Sequence, residues 1–498
     1  MERTHTLLRM LSVPAVLLSA LAGALANLGS ISANSLVITA GDSYACAIKS
    51  GALYCWGSNV SGRLGDGTTT DRNTPVGVQN MSSNVTAVAG AYYHTCAVKD
   101  GALYCWGRND FSQLGDGTRT DRSRPVAMRN MSNGVSAVAT GAYHTCAIER
   151  GALYCWGWNR YGQLGDGTDK NRDTPVAVRD MDSDVTAVVA GRTHTCAIKA
   201  GALYCWGRND LSQLGDGTRT NRNTPTAVQN MGSGVSAVAA GAYHTCAIKS
   251  GALYCWGGNI HNQLGDGTRT TRSTPIGVQN MSSGVSAVAA NEFHTCAIKS
   301  GALHCWGNNS FGELGDGTDE NRSRPVMVKN MDSGVSAIAI GLHHSLALKA
   351  DGCLYAWGSN DSGQLGNGDT NDQDEPVQVT GGCGEWGVAV LPPGPFGKSA
   401  PINRATNQPA SVTLRWGAPL TGTVHSYRYC YAPTSGCVPT STLQVLSPTT
   451  SVTITGLMTR TTYYWQVRAC AESTCSAFTD ADGGAHWSFT VSDAARRP

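Results

Sequence analysis

From Leu36 onward a unit of 50 residues recurs seven times, and that period restricts the fold more than any other feature of the chain. Its clearest line is Gly-Ala-Leu-Tyr-Cys-Trp-Gly at Gly51–Gly57, repeated at Gly101–Gly107, Gly151–Gly157, Gly201–Gly207 and Gly251–Gly257. Gly301–Gly307 carries His304 for the tyrosine, and Cys353–Gly358 reads Cys-Leu-Tyr-Ala-Trp-Gly. A fixed period of this length means a propeller or solenoid of like supersecondary units. One period holds four strand-like runs, seen at Val85–Ala89, Thr95–Lys99, Ala102–Trp106 and Pro125–Met128, separated by Gly- and Asp-rich turns. Four such runs make one blade-like antiparallel sheet. Sixty glycines and a charged fraction of only 14% agree with short strands and many turns.

The cysteines fix the register of the central hairpin. A two-residue turn at Ser50-Gly51 pairs Lys49 with Ala52, Ile48 with Leu53, and Cys46 with Cys55. Counted outward from such a turn, the cysteines fall on a non-hydrogen-bonded pair, where facing strands come closest. Cross-strand disulfides are therefore expected at Cys46–Cys55, Cys96–Cys105, Cys146–Cys155, Cys196–Cys205, Cys246–Cys255 and Cys296–Cys305. The seventh repeat replaces both partners at once, with Leu346 and Ala356. A loop this small contributes at most about 2–3 kcal/mol on chain-entropy grounds. A metal reading competes: His94, Cys96 and Cys105 could form a His-Cys-Cys set. However, repeat 1 keeps its cysteines with Tyr44 in the histidine place, and repeat 7 keeps His344 without them. No metal or cofactor is expected, and the histidines are assigned to backbone hydrogen bonds within each blade.

A second co-loss concerns charge. Asp66, Asp116, Asp166, Asp216, Asp266 and Asp316 each precede an arginine by six residues, Arg72 through Arg322, whereas repeat 7 has Asn367 and Gln373. An ion pair pinning the long loop explains this better than calcium, which needs several oxygen ligands in one loop.

The N-terminus reads as an export signal over residues 1–26: Arg3 and Arg9, an apolar run from Leu11 to Ala26, and Ala24-Leu25-Ala26 as the cleavage site. The run is short for a membrane span, which needs about 20 residues. Eighteen cysteines suit an oxidising compartment, so a secreted, extracellular or cell-surface protein is expected. The formal net charge of +2 supplies no electrostatic footprint for nucleic acid.

The run Cys-Trp-Gly-x-Asn-x-x-x-Gln-Leu-Gly-Asp-Gly-Thr, then Pro-Val, preceded by Gly-x-x-His-Thr, resembles the repeat of the regulator of chromosome condensation family, as Leu153–Thr195 shows. The resemblance spans about 36–391 and implies a seven-bladed β-propeller. It also implies, as an alternative function, guanine-nucleotide exchange on a small GTPase. The setting is similar to that of secreted propellers of this family that inhibit β-lactamases, which implies protein binding as a class. After a Pro/Gly linker at 392–400, residues 401–492 resemble a fibronectin type III module, an immunoglobulin-like β-sandwich. Val412–Trp416 resembles its B strand, Tyr463 the tyrosine corner, Tyr464–Ala469 the F strand, and His486–Phe489 the last strand. Cys430/Cys437 and Cys470/Cys475 would close short loops, leaving Cys353 and Cys383 to pair across the last blade.

Positions that differ between near-identical repeats are those the fold does not dictate. One set follows Trp-Gly: Arg108, Phe111, Trp158, Tyr161, Arg208, Leu211, Asn308 and Phe311. Another precedes the histidines: Tyr93, Tyr143, Arg192, Tyr243, Phe293 and His343. Tyr, Trp and Arg dominate binding hot spots. The candidate surface is therefore Tyr93, Arg108, Phe111, Tyr143, Trp158, Tyr161, Arg192, Arg208, Tyr243, Phe293 and Phe311. A non-catalytic binder of a protein or surface glycan is expected. Gly-x-Ser-x-Gly, phosphate-loop and His-Glu-x-x-His motifs are all missing from the sequence.

Overall fold

Each repeat folds into one antiparallel sheet of four consecutive strands, giving seven blades. Blade 2 is representative: an inner strand Val85–Gly90, then His94–Lys99, Ala102–Gly107 and an outer strand Arg122–Ala127. The computed structural model describes residues 37–381, and beyond these 398–401, 403–416, 426–433, 444–446, 451–471, 474–475 and 487–492. The expected signal segment 1–26 lies outside the described residues, as do Cys383, Cys437, Val388–Leu391 and most of the 392–400 linker.

The hairpin register is as the sequence requires, with Lys99 opposite Ala102 and Cys96 opposite Cys105. Six disulfides join the expected pairs, with Cα–Cα separations of 4.0–4.1 Å. This takes the cysteines out of any His-Cys-Cys metal set. In blade 7 Leu346 faces Ala356. Cys353 and Cys430 are also disulfide-bonded. The bridges expected for them involve Cys383 and Cys437, outside the described residues.

The inner strands touch their neighbours in chain order, and that of blade 1 (Val37–Ala40) touches that of blade 7 (Val335–Ile340), closing the ring. Blade 1 is thus completed by its own N-terminal strand. Each boundary uses the same side chains. The indole N–H of Trp56, Trp106, Trp156, Trp206, Trp256, Trp306 or Trp357 donates to a main-chain carbonyl of the preceding blade at 2.9–3.0 Å. Between blades 2 and 3 that acceptor is the Gln113 carbonyl, which also receives the Thr145 hydroxyl at 2.8 Å.

The histidines correct the sequence-based expectation. They bond across the blade boundary to a hydroxyl, instead of to backbone within the blade. His94, His144, His194, His244 and His294 reach Thr145, Thr195, Thr245, Thr295 and Ser345 at 2.7–3.0 Å. Each hydroxyl spends its proton on the carbonyl, so its oxygen must accept and histidine Nε2 must carry hydrogen. Tyr44 does the corresponding work at the first boundary, its hydroxyl lying 2.9 Å from Thr95 Oγ1. The last boundary lacks the hydroxyl, because Ala45 stands in the threonine place and His344 has no hydroxyl to meet. Glycine lets the chain pass close to some of the rings: a Cβ at Gly141 would lie 2.4 Å from the His144 ring and 2.6 Å from the Gly191 carbonyl oxygen, whereas Ala91 and Asn291 hold that position beside His94 and His294.

The long loops are held by the six expected ion pairs, at 2.6–2.9 Å. In blade 2, Asp116 Oδ2 meets Arg122 while Oδ1 accepts from Thr118 and from the buried Asn109. Burial pushes the Asp116 carboxyl up, but bonds from Thr118 and Arg122 outweigh it and hold it below the usual carboxylate range. In repeat 7 Asn367 still accepts from Asn360, as Asp116 does from Asn109, with Gln373 in the place of the arginine.

The C-terminal unit is a separate β-sandwich. One sheet contains Lys398–Ala400, Val412–Trp416 and Ser451–Ile454; the other includes Ser426–Ala432, Thr462–Ala471 and Trp487–Val491. Lys398–Ala400 pairs with Val412–Trp416, so the module begins before the expected end of the linker. The Tyr463 hydroxyl accepts from the Met458 amide at 3.0 Å, which is the tyrosine corner. Cys470 stands opposite Cys475 in the strand register.

Two predictions follow from the boundary chemistry. Burial holds the rings of His94, His144, His244 and His344 neutral down to about 3, and those of His194 and His294 to about 4. An unfolded histidine protonates below about 6.5, so the unfolded state binds more protons and stability drops as pH falls from there. Each ring contributes a slope of up to about 1.4 kcal/mol per pH unit. Acid titration followed by circular dichroism should show unfolding that begins above the carboxylate range; flat stability down to about pH 4 refutes the buried-neutral assignment. Second, Ala45→Ser supplies the missing hydroxyl and should add about 1 kcal/mol, whereas Thr145→Ala should remove about 1–3 kcal/mol. Urea midpoints measure both.

Candidate functional site

The variable positions occupy one face. His94 stands opposite Gly107 in the register, so the loop before the second strand and the loop after the third emerge together. They are tied by a main-chain bond repeated in the blades: Arg108 to Tyr93, Trp158 to Tyr143, Arg208 to Thr193 and Asn308 to Phe293, at 2.9–3.0 Å. Ten of the eleven candidate residues are half-buried and Phe311 is exposed. Asn308, singled out beside them, is buried.

Across blades 2 to 4 the aromatic candidates form a continuous arc that crosses blade boundaries. Tyr93 and Tyr143 have ring centroids 5.6 Å apart. Phe111 meets Tyr143 edge-on at 5.3 Å, Tyr143 meets Trp158 at 5.5 Å, and Trp158 meets Tyr161 at 5.5 Å. Such offset and edge contacts are the favoured geometry for aromatic groups. Arginines cover both ends: Arg108 lies over the Tyr93 ring at 5.0 Å, and Arg208 over Tyr161 at 5.2 Å. Each guanidinium is also held by the aspartate two residues on, Arg108 by Asp110 at 2.6 Å and Arg208 by Asp210 at 2.5 Å. Hydrogen bonding from Arg108 draws the Asp110 carboxyl below its ordinary range.

Blades 5 to 7 hold a second, smaller cluster. Phe293 stacks on His343 at 5.7 Å, His261 meets Phe293 at 4.8 Å, and Phe311 meets His343 at 4.6 Å. Beneath it Glu313 replaces the glutamine of most other repeats, accepting from Asn308 at 2.5 Å and from the Phe311 amide at 2.8 Å. Burial raises the Glu313 carboxyl, yet His343, His294 and the main-chain amides of Glu313 and Phe311 bring it below its ordinary value.

Arg192 and Tyr243 belong to neither cluster. Arg192 stands two residues before its histidine instead of one, and reaches Glu292 at 3.0 Å and the Tyr243 hydroxyl at 3.1 Å. The Tyr92 hydroxyl donates to the other Glu292 oxygen at 3.2 Å. Side chains of blades 2, 4, 5 and 6 are thereby joined across the propeller axis. Burial and the Glu292 charge push the Tyr92 hydroxyl well up; burial alone would lower Arg192, but Glu292 together with Tyr243, Tyr92 and Tyr143 raises it above its ordinary value. Asp42, Tyr92 and Arg192 also line an axial cavity of about 90 Å³. Asp42, Tyr92 and Glu292 were missed by the sequence reading. Their signal was the column Asp42, Tyr92, Ala142, Arg192, Ala242, Glu292, Leu342, where apolar copies alternate with polar ones.

A ring of seven such blades with variable loops on one face has known counterparts. The RCC1-like domain family matches residues 25–283, and the regulator of chromosome condensation (RCC1) repeat matches 285–313, 335–364, 300–348 and 351–387. The fibronectin type III domain matches 399–480. The chain belongs to the RCC1-like family. Among solved structures, yeast RCC1 (Prp20) bound to Kap60 is 21% identical with a TM-score of 0.61, covering 76% of this chain and 91% of its own. Human WBSCR16 is 24% identical with a TM-score of 0.59, covering 66% and 94%. Prp20p from Saccharomyces cerevisiae, described with its binding to Gsp1p and histones, is 21% identical with a TM-score of 0.58, covering 70% and 88%. At these identities the likeness is one of fold.

The axial contact is open to a double-mutant cycle. Arg192→Ala and Glu292→Ala should each lower stability, and the double variant should fall short of their sum by about 0.5–2 kcal/mol. Additive losses in urea unfolding would mean that the two side chains are not energetically coupled.

Proposed function

We propose that this chain is an exported, non-catalytic binding protein whose propeller presents the loop face to a protein partner. The observation that carries this reading is the arc of Tyr93, Tyr143, Phe111, Trp158 and Tyr161, capped by Arg108 and Arg208. These are hot-spot residue types at positions the fold leaves open, on a scaffold that holds them fixed. The repeated acids are engaged in ion pairs, and His94, His144, His194, His244 and His294 in boundary bonds, while His344 is buried at the closing boundary. Six disulfides support an oxidising location. Among the described residues no helix is long and apolar enough to cross a membrane. The yeast relative solved with Kap60 gives protein binding a precedent on this fold.

A second reading, regulation of a small GTPase, draws on the yeast propeller described with Gsp1p. It ranks lower because that likeness extends only to the fold.

Affinity capture with the full mature chain against proteins of its native surroundings should yield a partner whose binding falls at least about tenfold in Trp158→Ala and Arg208→Ala. Unchanged binding by both variants rejects the face. Acceleration of nucleotide release from a GTPase, insensitive to those variants, would favour the second reading.

A further inference from the structure

The two patches of the loop face differ in charge as well as in blade. The arc of blades 2 to 4 carries three guanidiniums, Arg108, Arg160 and Arg208, against two carboxylates, Asp110 and Asp210. Arg160 is exposed and has no acidic partner among the described residues. The two aspartates are open to solvent, with side chains 46% and 51% exposed. Their arginines are the reverse, 36% and 28% exposed and already fixed on tyrosine faces. The blade 5 to 7 cluster instead sits over the buried Glu313.

We infer that the partner segment received by this arc is an acidic stretch of a protein, with an aromatic or apolar side chain flanked by Asp or Glu. This rests on the protein-binding reading above. An incoming carboxylate can take the place of an exposed Asp110 or Asp210 on a guanidinium whose orientation is already set. Preorganisation of that kind lowers the ordering cost of binding, and the planar arginine fork suits a carboxylate bidentately. The apolar side chain packs against the edge-to-face cluster of Phe111, Tyr143 and Trp158.

A glycan is disfavoured by the same geometry. Sugars bind aromatic platforms through open ring faces, and at both ends of the arc a guanidinium already covers one face of the tyrosine. A sugar stacking on that face at either end would have to break a cation–π contact.

The test uses the full mature chain, panned with a random-peptide phage library and titrated separately with cellohexaose and chitohexaose. Enriched peptides should share an acid–aromatic consensus. A synthetic peptide of that consensus should lose at least about tenfold in affinity on Arg208→Ala or Trp158→Ala, or on replacing its own Asp and Glu by Asn and Gln. Phe293→Ala, in the other patch, should leave it unchanged, and circular dichroism shows whether each variant is folded. A neutral consensus that still depends on Trp158 overturns the acidic segment while sparing the binding face. Peptides lost on Phe293→Ala alone, or no enrichment at all, overturn the arc as a peptide site. Saccharide binding lost on Trp158→Ala makes the partner a glycan.

Discussion

At each blade boundary one main-chain carbonyl is the meeting point on which the ring depends. The Gln113 carbonyl takes hydrogen bonds from the indole of Trp156 and the hydroxyl of Thr145, both from the next blade, and His94 in turn donates to that hydroxyl. All of these groups are buried. A buried polar group without a partner costs about 1–3 kcal/mol, so losing one member of the set strands another, as the loss of the hydroxyl at Ala45 strands His344. It also dictates composition. The tryptophan recurs at every boundary, and a threonine or serine hydroxyl at every boundary but the one closed by Ala45, which is why the repeats resemble one another so closely.

The fold was largely legible in the sequence because repetition turns each physical pairing into a test with several trials. Cys46 and Cys55 could be matched, and Asp66 and Arg72 paired, because the seventh repeat loses both members of each pair together. The tyrosine corner at Tyr463 needed only its position in the module. The histidines were harder. Their partner lies one whole repeat away, in the next blade, and periodicity within a blade says nothing of contacts between blades.

The candidate face was legible as a list of residues and much less so as a geometry. Variation between copies pointed to Trp158, Tyr161 and Arg208 correctly as neighbours on one face, since the loops that bear them are tied together in every blade. It could not separate Arg192 from the aromatic column. A one-residue difference in distance from the histidine moves a side chain from the rim to the axis. There, residues far apart in the chain meet: Tyr92 and Glu292 are bonded although 200 positions separate them. Closure of the ring creates that neighbourhood, and a linear reading has no access to it.

Departures from the repeat fall into two physical kinds. Ala45 and Leu346 lie at the junction where the first and last blades meet, and Tyr44 stands for histidine at the boundary between the first and second. The first and last copies meet each other there, and the change of Thr to Ala at position 45 leaves His344 without its hydroxyl. The other kind lies on the loop face, where Arg108, Trp158 and Tyr161 differ from copy to copy without disturbing any boundary bond. A substitution of the first kind acts through stability, and one of the second through what the face can hold. The two are separable because the loops enter the network that closes the ring through main-chain carbonyls such as that of Gln113, which a change of side chain on the loop face leaves in place. Such a scaffold lets recognition residues change one blade at a time while the remaining boundaries keep the loops in register.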